Sequence, residues 1–97
     1  MGSSLRLSRG KITVELASAC GWTQRGRRIS RRFLFNDFLQ AMRFVNRVAR
    51  LAEGMNHHPE ISIHYNRVRL SLTTHDEGGL TVKDFQLARK IDRLEMS

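Results

Sequence analysis

The chain has 97 residues, 40% of them hydrophobic, and a formal net charge of +8. This length supports one modest hydrophobic core, and the composition is that of a folded globular chain and not of a disordered one. No apolar run reaches the roughly 18 residues that a transmembrane helix needs, which argues against a membrane protein. We therefore predict a flexible tail over residues 1–11 and a single domain over residues 12–97.

The first predicted element is a short helix over residues 12–20, which Gly21 ends. Cys20 follows Leu16 by four residues, so it is predicted to be a small buried residue of this helix rather than a reactive thiol. As the one cysteine it cannot form an intrachain disulfide, and the start of the chain lacks the apolar stretch of a secretory signal. Both features favour a cytoplasmic location.

Two strands are predicted next, over residues 22–24 and 29–35, around a polar, glycine-containing connection. In the second strand Ile29, Phe33 and Phe35 share one face by the two-residue period. Arg31 has the same parity, so a charged side chain is expected on the apolar face.

The positive charge is concentrated in arginine, with 14 arginines against 3 lysines. Five arginines lie within the eight residues of segment 25–32. One interpretation is a phosphate-binding patch for a polyanion such as nucleic acid, and the other is a solvated basic face. No recognised nucleic-acid motif accompanies the cluster, so the solvated face is favoured and a nucleic-acid partner is not excluded.

The strongest helix signal covers residues 37–53. Asn36 is the predicted N-cap, and Asp37 suits the positive end of the helix dipole. Gly54 is predicted to end the helix, and Pro59 forbids its continuation. The predicted core-facing stripe, at three- and four-residue steps, consists of Phe38, Met42, Val45, Val48, Ala49 and Ala52.

A second hairpin is predicted from alternating strands over residues 61–65 and 68–74. Asn66 and Arg67 would form the two-residue connection, because asparagine tolerates the left-handed conformation of a tight turn. Tyr65 is interpreted as a core residue of this hairpin in preference to a ligand. Residues 76–79 form a predicted turn.

The last helix begins with a capping box, Thr81-Val82-Lys83-Asp84, flanked by Leu80 and Phe85 at the hydrophobic-staple positions. Its predicted buried stripe consists of Leu87, Ala88, Ile91 and Leu94. The full element order is α-β-β-α-β-β-α, an α+β fold. The two hairpins form a four-stranded antiparallel sheet with three helices packed on one face.

Histidines cluster around two of the predicted loops. Glu53 closes the long helix, His57, His58 and Pro59 form the loop after it, and His75 ends the fourth strand. The free pKa of histidine, about 6.5, lets it accept and donate protons near neutrality. Two imidazoles facing one substrate can remove one proton and deliver another, which an elimination of water requires.

Two other kinds of site are disfavoured. A zinc site from His57, His58, His64 and Cys20 matches no common ligand spacing, so we predict no metal. A serine hydrolase is disfavoured because Ser62 and Ser71 lie mid-strand, without the sharp turn that exposes a nucleophile.

The spacing of these residues resembles the signature of the pterin-4a-carbinolamine dehydratases. The signature positions are Glu53, His57, His58, Pro59, Tyr65, His75 and Asp84. Further similar segments are Gly21-Trp22, the alternating strand over residues 29–35, Asp37-Phe38 and stretches between residues 74 and 88. The resemblance extends over roughly residues 12–92.

The resemblance implies a four-stranded antiparallel sheet with three helices on one side, assembled as a homodimer or homotetramer. It implies dehydration of 4a-hydroxytetrahydropterin to quinonoid dihydropterin without a metal or redox cofactor, which recycles the pterin of aromatic amino acid hydroxylases. By position, His57 and His75 would be the acid–base pair, one serving the 4a-hydroxyl and the other the N5 proton, in either assignment. His58 would hold the substrate.

Supporting roles follow from the same resemblance. Glu53 would brace the loop, and Pro59 would keep it rigid because its ring fixes φ. Lys83 stands where family members often carry arginine, and it would help bind the pterin. Asn56 stands where many relatives have aspartate, and it would hydrogen-bond the substrate. Helix capping is a sufficient explanation of Asp84, with a role in the site as the alternative.

Two alternatives to the enzyme stay open. Members of the family also act as a dimerisation cofactor for a transcription factor or as assembly factors, so the chain could be a binding module with a protein partner. The second alternative is a basic nucleic-acid-associated protein. The presence of all three histidines favours the enzyme.

Overall fold

The computed structural model describes the backbone of residues 5–96 and the side chains up to residue 94, and it confirms the predicted element order. The elements are α1 (Arg9–Ala17), β1 (Thr23–Arg25), β2 (Arg28–Leu34), α2 (Phe38–Met55), β3 (Glu60–His64), β4 (Arg67–Leu72), a 3₁₀ turn (His75–Glu77) and α3 (Val82–Met96). Within the described residues, no helix combines the length and the apolar character needed to cross a membrane.

The four strands form one antiparallel sheet in the order β1-β2-β4-β3. Ile29 lies opposite Leu72, and Phe33 lies opposite Val68. Because directly opposed residues share a face, these buried side chains form one apolar face. Residues of all three helices belong to the same core cluster, among them Ile12, Val48, Leu87 and Ile91. The prediction of three helices on a single face is therefore confirmed.

Arg31 lies on the apolar face, as the two-residue period predicts, and α3 provides its partner. Arg31 Nη1 donates to Asp92 Oδ1 at 2.6 Å, and the guanidinium carbon lies 4.5 Å from the centroid of the Phe33 ring. Trp22 Nε1 donates to the same carboxylate at 2.9 Å. The charge is thus paired at the margin of the core, where ion pairing and a cation–π contact offset its loss of hydration.

The first helix lies three residues earlier than expected. Ser8 is its N-cap, and the Ser8 hydroxyl accepts from the Lys11 amide at 3.3 Å, so residues 9–11, assigned to the tail, are helical. The helix ends at Ala17 because the Ser18 amide bonds back to the Glu15 carbonyl at 3.1 Å. The prediction that Cys20 is buried in this helix is wrong: Cys20 is exposed in the following turn, and Ala19 is buried instead.

The ends of α2 differ from the prediction by one and two residues. Asp37, not Asn36, is the N-cap, since its Oδ1 accepts from the Gln40 amide at 2.8 Å. The helix runs through Gly54 to Met55 and ends at Asn56, whose φ of 50° and ψ of 44° are left-handed. Asparagine tolerates this conformation, so Gly54 is not needed to end the helix.

The buried face of α2 is rotated slightly from the predicted stripe. Its buried residues are Ala41, Phe44, Val45, Val48 and Ala52. Phe38 and Ala49 were expected in the core but are exposed. Phe44 contacts Phe33 of the sheet instead, with ring centroids 4.7 Å apart.

The second hairpin turns one residue earlier than predicted. His64 lies opposite Arg67, so the two-residue connection is Tyr65 and Asn66. The positive φ, 56°, falls on Tyr65, which is 66% exposed, so the prediction of a core tyrosine is wrong. Asn66 has another role, since its Nδ2 donates to the Phe35 carbonyl at 2.9 Å and connects this hairpin to the end of β2.

The capping box of α3 is confirmed. The Thr81 amide donates to Asp84 Oδ2 at 2.9 Å, and the Thr81 hydroxyl accepts from the Lys83 amide at 3.2 Å. Leu80 and Phe85, the predicted staple, are both buried. The start of α3 is therefore held by side chains at a defined place against the sheet.

Candidate functional site

His57 is turned toward the body of the protein by the end of α2. The left-handed Asn56 reverses the chain, and the His57 amide donates to the Ala52 carbonyl at 3.0 Å. His57 is only 8% exposed as a result. A loop histidine on this short, tightly bonded turn has little freedom to move.

The buried partner of His57 is Asp84. His57 Nε2 lies 2.6 Å from Asp84 Oδ1, and Asp84 is fully buried. The other carboxylate oxygen, Oδ2, accepts from the Thr74 hydroxyl at 2.8 Å and from the Thr81 amide at 2.9 Å. Because an ionised carboxylate only accepts hydrogen bonds, this contact places the proton of a neutral His57 on Nε2. Asp84 therefore caps α3 and also orients His57.

The second ring nitrogen of His57 is not completely buried. Within the described part of the chain, no buried side-chain nitrogen or oxygen lacks a hydrogen-bond partner. His57 Nδ1 has no such partner among the described residues, so it must reach solvent. A neutral ring with its proton on Nε2 presents a lone pair at Nδ1. The buried imidazole thus offers one basic nitrogen to a molecule arriving from outside.

His58 lies outside this network. Its Nε2 donates to Glu53 Oε2 at 2.5 Å, and the two side chains are 55% and 77% exposed. Glu53 is in the last turns of α2, so the contact holds the loop against the helix that precedes it. A hydrogen-bonded pair as exposed as this one contributes little to stability.

His75 is exposed and begins the 3₁₀ turn after β4. The preceding residue, Thr74, exchanges two backbone hydrogen bonds with Gly79, at 3.1 and 3.2 Å, which closes the turn. The Thr74 hydroxyl donates to Asp84, the carboxylate that also contacts His57. The segments that carry His57 and His75 are therefore attached to the same buried group.

A cavity of about 280 Å³ lies beside this network. Thr74 and Thr81 line it on the network side, and Asp76, Glu77, Lys83 and Gln86 supply its other polar side chains. Lys83, in the first turn of α3, is exposed there. Polar groups converge here on a concavity, as is common at small-molecule sites.

The remaining predicted site residues are spread around this region. Asn56 is exposed at the C-cap of α2, and Pro59 is partly buried just before β3. His64 and Cys20 are exposed elsewhere, on β3 and in the turn after α1. Over the described range, no three His, Cys, Asp or Glu side chains are grouped to hold a metal ion.

Sequence reasoning missed Thr74 as a member of the site, although its position before His75 was a usable signal.

Comparison with known proteins identifies the family to which the chain is similar. The family described as pterin 4 alpha carbinolamine dehydratase matches residues 5–94. A protein of Sulfurisphaera tokodaii named "Putative pterin-4-alpha-carbinolamine dehydratase" is 47% identical over 89 residues, which is 92% of this chain and 96% of that protein. A protein of the same name from Chloroflexus aurantiacus is 52% identical with the same coverage.

Two solved structures are similar to this fold. A transcriptional coactivator/pterin dehydratase from Brucella melitensis superposes with a TM-score of 0.89 at 37% identity, over 93% of this chain and 98% of its own. A pterin dehydratase-like protein identified as a RuBisCO assembly factor in the alpha-carboxysome superposes with a TM-score of 0.68 at 25% identity, over 79% and 92%.

Removing the buried carboxylate should cost far more stability than removing the exposed one. Asp84→Ala leaves the Thr81 amide, the Thr74 hydroxyl and a buried imidazole without their acceptor, and we expect a loss of about 3–5 kcal/mol in the free energy of unfolding. Glu53→Ala is the matched control, with an expected loss of at most about 1 kcal/mol. Urea denaturation of both variants measures the difference. Equal losses in the free energy of unfolding would contradict the conclusion that Asp84 is the main hydrogen-bond acceptor of this network.

Proposed function

The chain belongs to the pterin 4 alpha carbinolamine dehydratase family, and on this premise we propose that it converts 4a-hydroxytetrahydropterin to quinonoid dihydropterin and water. In this reaction the C4a–O bond breaks, the hydroxyl leaves with an added proton as water, and N5 loses its proton. The reaction is an elimination without oxidation or reduction, so one group that donates a proton and one that accepts a proton suffice.

His57 is proposed as one of these two groups. Its Nε2 is held by Asp84, and its Nδ1 is the nitrogen that reaches solvent. A ring held at one nitrogen by a carboxylate exchanges protons at the other without changing its orientation. Because Nδ1 accepts a proton when it is free and donates one when it is protonated, His57 fits either half of the transfer.

His75 is proposed as the second group, and the observation that carries the proposal is the shared attachment to Asp84. Thr74 brings the start of the 3₁₀ turn to the carboxylate that holds His57. The backbone segments that carry the two imidazoles are tied to one buried group, which defines the position of one segment relative to the other. Such preorganisation is what acid–base catalysis on a single bound substrate needs.

The other residues are proposed to hold the substrate or the loop. His58, kept in place by Glu53, would contact the pterin, and Pro59 would limit the motion of the chain after it. Lys83 lines the cavity beside Thr74 and could attract the electron-rich pterin ring or its side chain. Asn56 would donate from its side-chain amide.

We also propose that the protein is a homodimer or homotetramer. Several large apolar side chains are exposed on the single chain, among them Leu34 at 74%, Leu39 at 59% and Tyr65 at 66%. Burying such residues between copies of the chain would remove apolar surface from water. Sedimentation equilibrium should give a mass of two or four chains, and the mass of one chain at micromolar concentration would contradict this proposal.

The second candidate function is a binding module. The solved structures described above include one named a transcriptional coactivator/pterin dehydratase and one identified as a RuBisCO assembly factor. The same exposed apolar side chains that would form an oligomer could serve a protein partner of this kind. This candidate does not require the histidines, so catalytic assays of histidine variants separate it from the enzyme.

Loss of either proposed acid–base histidine should abolish dehydratase activity. We expect His57→Ala and His75→Ala each to lower the rate about 10²–10⁴-fold, because each removes one of the two proton transfers. The measurement is the decay of 4a-hydroxytetrahydropterin generated in situ by a hydroxylase. His64→Ala is the control, because His64 lies exposed on β3, outside the network. A native protein that leaves the spontaneous rate unchanged would refute the enzyme and favour the binding module.

Asp84→Asn should lower kcat with little change in KM. The asparagine keeps the size of the side chain but lets its amide donate to Nε2, which moves the proton of neutral His57 to Nδ1. We expect a fall of about tenfold or more in kcat, as for a triad histidine held in the wrong tautomer. The ¹⁵N chemical shifts of the His57 ring report the tautomer. An unchanged kcat with a shifted tautomer would argue against His57 as the transferring group.

A further inference from the structure

The sheet face opposite the helices is strongly basic. The register places Arg32 directly opposite Arg69 and Arg25 directly opposite Arg28, while alternation puts Arg67 on the same side as Arg69. We call this surface the outer sheet face. Only part of the arginine-rich segment lies on it, because Arg27 is in a turn and Arg31 lies on the apolar face. Strand β4 supplies the other arginines, which the sequence cluster did not include.

The acidic side chains of the sheet do not balance this charge. Glu60 is the one acidic residue in the four strands, and it is already paired with Arg28, whose Nη1 donates to Glu60 Oε1 at 2.8 Å. The side chains of Arg32 and Arg69 make no hydrogen bond or ion pair within the described chain, and the same holds for Arg25 and Arg67. Four uncompensated guanidiniums therefore share one surface.

Arg32 and Arg69 form a like-charge pair at the centre of this face. Directly opposed like charges on neighbouring strands destabilise a sheet, and nothing in the packing requires arginine at either exposed position. Two shallow grooves, of about 450 and 440 Å³, both include these two side chains. Ser30 lies in the first groove and Ser62 in the second. A bound anion would relieve the repulsion. The Ser62 hydroxyl could donate to it, whereas the Ser30 hydroxyl donates to Ser71 Oγ at 3.2 Å.

We propose that the outer sheet face binds the phosphate backbone of double-stranded nucleic acid without reading its sequence. Arginine and serine side chains are typical phosphate contacts. Surfaces that bind single strands add a series of aromatic side chains on which successive bases stack. The outward strand positions carry one imidazole, His64, and no phenylalanine, tyrosine or tryptophan, since Phe33 faces the core. A duplex keeps its bases stacked and presents its phosphates outward, which fits several guanidiniums beside a single imidazole.

This surface is separate from the proposed dehydratase site. His57 follows α2 and Asp84 is in α3, and both helices cover the apolar face of the sheet. Loss of duplex binding would therefore leave the dehydration rate intact. The two proposals can fail independently.

The test compares two double variants with the same change of charge. Fluorescence anisotropy of a labelled 20-base-pair duplex is recorded from 50 to 200 mM salt for the native chain, for Arg32→Gln/Arg69→Gln and for Arg43→Gln/Arg50→Gln. The control arginines are exposed on α2, on the helix side of the molecule. We expect Arg32→Gln/Arg69→Gln to bind the duplex more weakly, and the slope of log K against log salt concentration to be smaller in magnitude by about 2. The control variant should bind the duplex like the native chain.

Three results would overturn the proposal. The native chain could fail to bind the duplex at 50 mM salt, or both double variants could weaken binding equally. The third such result is that the native chain binds the matching single strand or polyglutamate more tightly than the duplex.

The thermal midpoint separates a binding defect from misfolding, because removal of a like-charge pair should leave Arg32→Gln/Arg69→Gln at least as stable as the native chain. If that variant does unfold, Arg67→Gln is measured in its place, with an expected slope change of about 1.

Discussion

The carboxylate of Asp84 joins the start of α3 to two other segments of the chain. It accepts from the first residue of the box that caps α3, from Thr74 at the end of the sheet, and from His57 in the loop after α2. A fully buried carboxylate is costly unless its lone pairs are used, and here each oxygen is hydrogen-bonded. The same bonds that make its burial tolerable place the start of a helix, a turn and an imidazole relative to one another.

The two faces of the sheet carry different kinds of side chains. On the apolar face, Ile29, Phe33 and the buried residues of β4 pack against the helices, and Asp84 of α3 holds His57 in the loop that follows α2. The outer face carries arginine from three strands and one glutamate, Glu60, which pairs with Arg28. Because alternate residues of a strand point in opposite directions, one set of four strands supports both surfaces without mixing them.

Two of the errors of the sequence predictions arose where contacts with other parts of the chain overrode the local sequence pattern. Tyr65 was expected in the core because it continued an alternating pattern, but the register of the hairpin assigned it to the turn. Asn36 and Asp37 are both good caps, and only the geometry of the α2 entry selected the aspartate. Cys20 fell outside its helix because Ser18 bonded back to the preceding turn. At the α2 entry the two residues had nearly equal propensity, and at the hairpin the register overrode the preference of the left-handed region for asparagine. Contacts beyond the local segment therefore decided both positions.

The sequence by itself determined the element order, the α+β class, the capping box of α3 and most of the core, because hydrophobic periodicity and capping chemistry are written in neighbouring residues. It also singled out His57, His58, His75 and Asp84 by their spacing. Only the tertiary structure decided that Asp84 holds His57, that Thr74 joins them, and that Arg32 meets Arg69 across two strands. These are contacts between residues 10 to 37 positions apart, and such contacts depend on strand register and helix placement, which local propensity does not encode.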